Sequence, residues 1–102
     1  MAQGVMVIAE QRAGEIRKIS YEIVSEGKRL AEGLGQSLTA VLLGHNVKDK
    51  ASVLGHYGAD RVIVADDPRL ETYTAAAYVP VIAEQVKKED PALLLIGASV
   101  QG

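Results

Sequence analysis

The chain has 102 residues, of which 48% are hydrophobic and 24% charged, with no cysteine and a formal net charge of −2. This length corresponds to one domain, which can bury a core without disulfides or a structural metal. The charge balance excludes the basic surface of a protein that binds nucleic acid or anionic lipid, and the lack of cysteine excludes disulfides and thiolate metal sites.

Four short apolar runs predict β-strands. Each run is nearly continuous rather than alternating, as expected for strands buried on both faces of a parallel sheet. The runs cover residues 5–9, 38–43, 62–65 and 92–96. A further short strand over residues 16–19 is predicted to pair back on the first run, after a turn at residues 11–15.

Amphipathic segments between these runs predict three helices. Apolar positions recur at helical spacing over residues 21–34, 47–57 and 75–88. Ser20 is predicted to cap the first helix and Gly35 to end it, and Asn46 is predicted to cap the second. Pro80 lies inside the third segment and is predicted to kink its first turns or to delay its start.

The alternation of strands and helices predicts an α/β fold. Right-handed crossovers give a mostly parallel sheet between two layers of helices, a three-layer, Rossmann-like α/β/α arrangement. Such sheets bind ligands at the carboxyl ends of their strands, where the strand order reverses. The residues predicted to line a hypothetical nucleotide crevice at this edge are Ala9, Glu10, Gly44, Asp66, Gly97 and Ser99.

Two motifs at this edge each allow two interpretations. The small residues at 97–102 could let backbone N–H groups approach an anion, or they could form a tight strand-to-helix turn; they lack the lysine of a phosphate loop and the spacing of a dinucleotide fingerprint. Residues 66–68, Asp-Asp-Pro, could supply metal oxygens, but they are also typical of a turn in which an aspartate bonds to local backbone. No histidine has carboxylates at ligand spacing and no serine lies in a nucleophile elbow, so no metal site and no catalytic residue is predicted.

The order of several segments resembles the N-terminal domain of the electron transfer flavoprotein alpha subunit, and the resemblance runs along nearly the whole chain. The segments that carry it are residues 7–16, 20–31, 41–44, 57–62, 66–68, 73–75 with Tyr78, and 91–99. The chain departs from the family pattern at Gly27, where alanine is expected, and at Val79-Pro80, where the helix is expected to start smoothly.

The resemblance implies a Rossmann-like fold of the adenine nucleotide alpha hydrolase type. It also implies that residues 1–102 are a single, incomplete domain, with a final helix and one or more strands missing. The implied role is that of a scaffold and subunit interface in an electron carrier rather than an enzyme. With a beta subunit, such a carrier takes electrons from flavin dehydrogenases, such as the acyl-CoA dehydrogenases of fatty acid β-oxidation.

The resemblance also sets expectations for cofactors. In this family FAD is held mainly by a C-terminal domain of the alpha subunit, and AMP by the beta subunit. No FAD ligand is therefore assigned to residues of this chain.

Two other functions fit the residues. One is a stand-alone α/β protein that binds adenine nucleotides, and the other is a fragment of an adenine-nucleotide hydrolase or ligase. The first residues lack the pattern of a signal peptide, and no apolar run approaches the about 18 residues of a membrane span. We therefore expect a cytoplasmic protein in a bacterium or archaeon, or a mitochondrial matrix protein in a eukaryote.

Overall fold

The computed structural model describes residues 4–9, 11–12, 15–72 and 74–96. After three initial strands, helices and strands alternate along the chain. The strands are β1 (Val5–Ala9), β2 (Gln11–Arg12), β3 (Glu15–Ile16), β4 (Leu38–Gly44), β5 (Arg61–Asp66) and β6 (Leu93–Ile96). The α-helices are α1 (Lys18–Leu34), α2 (Ala51–His56) and α3 (Ala75–Glu89). Short 3₁₀ turns cover Lys48–Lys50 and Pro68–Leu70.

The main sheet has four parallel strands in the order β5-β4-β1-β6. The chain moves outward from β1 to β4 and β5, and then crosses back to place β6 on the other side of β1. The strand order therefore reverses between β1 and β6, which is where ligands bind in open α/β sheets. This arrangement confirms the predicted α/β fold with a parallel sheet.

The core is aliphatic and lies on both faces of the sheet. On one face, β1 and β4 pack against α1 and α2 through side chains that include Val7, Val24 and Leu54. On the other face they pack against α3 and the second 3₁₀ turn through side chains that include Ile8 and Tyr78. Helices on both faces explain why the central strands consist of continuous apolar residues.

Helix α1 lies unusually close to the sheet at Gly27. A Cβ atom at this position would lie 2.8 Å from Cγ1 of Val7 and 3.0 Å from Cδ1 of Leu38. Glycine costs about 1 kcal/mol relative to alanine inside a helix. The close approach to β1 and β4 gives a physical reason for the glycine at this departure from the family pattern.

The predicted end of α1 is confirmed and its predicted start is wrong. Gly35 ends the helix with φ 67°, and the next N–H, of Gln36, donates to the carbonyl of Ala31 at 2.9 Å. The helix begins at Lys18 with Arg17 as its N-cap. Ser20 is buried within the first turn, because the stripe that faces the sheet begins there and repeats at Val24, Gly27 and Ala31.

The remaining predictions for local structure need three corrections. The strand predicted over residues 16–19 is instead a small hairpin in which β2 pairs with β3, outside the main sheet, because α1 already begins at Lys18. The second predicted helix divides into a 3₁₀ turn and α2, and Asn46 is a turn residue with φ 58° rather than a cap. Helix α3 starts at Ala75 with Pro80 inside it, so the proline does not delay the start.

Among the described helices, none combines the length and the apolarity needed to cross a bilayer.

Candidate functional site

Three of the predicted crevice residues lie together at the carboxyl edge of the sheet. Ala9 is the last residue of β1, Gly44 of β4 and Asp66 of β5. Gly44 and Asp66 are also direct partners in the register of the two strands. The other three predicted residues, Glu10, Gly97 and Ser99, lie outside the described residues.

The Asp66 carboxylate closes the turn that follows β4. Its Oδ1 accepts a hydrogen bond from the N–H of Asn46 at 3.0 Å, and its Oδ2 accepts one from the N–H of Val47 at 3.2 Å. Nδ1 of His45 lies 3.4 Å from Oδ1. The backbone N–H of Asn46, above all, holds the pKa of Asp66 below its usual value. An internal anion therefore occupies the two N–H groups at the end of β4, which explains the left-handed backbone of Asn46.

Asp67 organises the next turn. Its Oδ1 accepts from the N–H of Arg69 at 2.9 Å, and the Arg69 guanidinium bonds to both carboxylate oxygens at 3.0 and 3.1 Å. These contacts with Arg69 lower the pKa of Asp67 to about 2. They confirm the interpretation of Asp-Asp-Pro as a turn. Within the described part of the chain, no group of three or more His, Cys, Asp or Glu residues could hold a metal ion.

A buried polar cluster at the same edge was not predicted. Gln11 is 4% exposed, and its Nε2 donates to the carbonyls of Leu70 at 2.9 Å and Glu71 at 2.8 Å. The same nitrogen lies 3.2 Å from the Tyr78 hydroxyl, which donates to the carbonyl of Leu70 at 2.8 Å. Gly44 makes room for this cluster, because a Cβ atom there would lie 2.6 Å from Cγ of Gln11.

The cluster joins segments that are far apart in sequence. Gln11 lies 59 to 67 positions from its partners, so no local spacing in the sequence could reveal the contacts. Tyr78 is 1% exposed and belongs to the core. The cluster ties the end of β1 to the β5–α3 connection and covers this edge of the sheet. Its groups satisfy one another, which is the chemistry of a structural brace.

Comparison with known proteins places this fold in a family. The family model described as the electron transfer flavoprotein domain matches residues 5–102. The acryloyl-CoA reductase electron transfer subunit beta of Anaerotignum propionicum is 45% identical over 93% of the chain. The FixB protein of Clostridium saccharobutylicum is 46% identical over 98% of the chain, and the electron transfer flavoprotein subunit alpha of Clostridium acetobutylicum is 45% identical over 98%. The chain spans 26%, 30% and 30% of the length of these relatives.

Proposed function

The chain belongs to the electron transfer flavoprotein domain family, and we propose that it is the scaffold and subunit-interface part of an electron transfer flavoprotein alpha subunit. The observation that carries this proposal is the family match over residues 5–102. In this proposal the whole protein pairs with a beta subunit and moves electrons as a carrier, without catalytic residues in this chain.

The geometry of the carboxyl edge supports a scaffold role. The side chains of Gln11, Asp66 and Asp67 are engaged with backbone groups of neighbouring turns. Groups engaged in this way hold the shape of the turns around them. We therefore propose that the domain acts through the surfaces it presents to other parts of the complex.

We propose that the cofactors are held elsewhere, FAD mainly by a C-terminal domain of the alpha subunit and AMP by the beta subunit. The relatives are more than three times as long as this chain, so each has a large part outside the matched segment. The N–H groups at the end of β4, where a phosphate could bind, already bond to Asp66. This contact also weakens the alternative of a stand-alone protein that binds adenine nucleotides.

We propose a flavin dehydrogenase that acts on acyl-CoA substrates as the redox partner. The support is the relative from Anaerotignum propionicum, which is named as an electron transfer subunit of an acryloyl-CoA reductase and so connects the family with acyl-CoA chemistry.

The cofactor assignment is tested by the visible spectrum of the chain. We expect the chain, expressed alone, incubated with excess FAD and desalted, to be colourless. Flavin bound in a one-to-one ratio would contradict the assignment of FAD to another domain. Calorimetric titration with AMP and with ATP, at millimolar concentration, is expected to give no heat of binding. A saturable heat would instead favour the adenine-nucleotide-binding alternative.

A further inference from the structure

We draw no further inference here: the strongest candidate, the surface groove beside the stacked rings of Tyr21 and Tyr57 on the outer side of α1, carries none, because nothing in the described part of the structure shows what covers it.

Discussion

At the scale of single residues, Gly44 is the described glycine at which an added Cβ atom would make the closest contact. A Cβ atom there would lie 2.6 Å from Cγ of Gln11 and 2.8 Å from Cγ1 of Val47. Gly44→Ala is expected to lower the free energy of unfolding by about 1–3 kcal/mol, because the buried Gln11 must shift from its partners. Urea denaturation measures the change.

Gly33→Ala is the control for that substitution. Nothing lies within 4 Å of a Cβ atom at Gly33, which is inside α1. Alanine is the better helix former, so this variant is expected to be about 0.5–1 kcal/mol more stable than the unchanged chain. Equal destabilisation by the two variants would show that the packing around Gly44 is not the cause.

The Tyr78 hydroxyl is the second residue whose role can be measured. Tyr78→Phe removes the hydrogen bond to the carbonyl of Leu70 and the contact with Nε2 of Gln11. We expect a loss of about 1 kcal/mol in the free energy of unfolding. Tyr57→Phe, at a position 45% exposed, is expected to change it little. A neutral Tyr78→Phe variant would mean that the cluster does not brace this edge.

The ion pair of Asp67 and Arg69 predicts a loss of stability in acid. The pKa of Asp67 is lowered from 3.8 to about 2 in the folded chain, so its contribution is fully present above 3.8 and is lost as the pH falls through about 2. Asp67→Asn keeps an oxygen that accepts from the Arg69 N–H but removes the charge. Its free energy of unfolding is expected to fall less between pH 3.8 and about 2 than that of the unchanged chain.

Arg69→Gln removes the cause of that pKa shift. It is expected to make the free energy of unfolding depend less on pH over the same range. Both variants are measured by urea denaturation at a series of pH values. If both keep the slope of the unchanged chain, Asp67 does not carry the acid sensitivity assigned to it.

The same scale shows which site residues a sequence can reveal. The positions of Ala9, Gly44 and Asp66 at one edge could be predicted, because each closely follows or ends an apolar run. The contacts of Gln11 could not, because its partners come from a connection about 60 positions away. The left-handed Asn46 was also missed, because it depends on the Asp66 carboxylate from a different strand.

At the scale of elements, the start of α3 depends on one side chain. Oγ1 of Thr74 accepts from the N–H of Ala77 at 3.2 Å and so caps the helix. Thr74→Ala is expected to cost about 1 kcal/mol of stability, measured by thermal or urea denaturation. Thr72→Ala is the same substitution in the bend before the helix and is expected to be neutral. Similar losses in both variants would contradict the capping role.

Strands were predicted more closely than helix starts, and burial explains the difference. The central strands β1 and β4 are buried on both faces, so their apolar runs coincide with their bounds to within one residue. Helix α1 begins at Lys18, two residues before the buried Ser20 on its inward stripe, whereas a serine in sequence is more typical of a cap. The start of α1 therefore could not be predicted from the local sequence pattern.

At the scale of the whole molecule, the parallel sheet and its strand order place the polar braces at one edge. The alternation of strands and helices with right-handed crossovers allowed the fold class to be predicted from the sequence. The role of the carboxyl edge could not be predicted from the sequence. There the Asp66 carboxylate and the Gln11 cluster bond to groups that an external ligand would otherwise meet, and these contacts join segments far apart in the sequence. The family match then connects this scaffold to electron transfer flavoproteins.

The most direct test of the scaffold account is a calorimetric titration of the purified chain with an electron transfer flavoprotein beta subunit. The account predicts a saturable heat with one beta subunit bound per chain, and no flavin absorption contributed by the chain itself. The absence of binding to a beta subunit that forms a complex with a full-length alpha subunit would contradict the account.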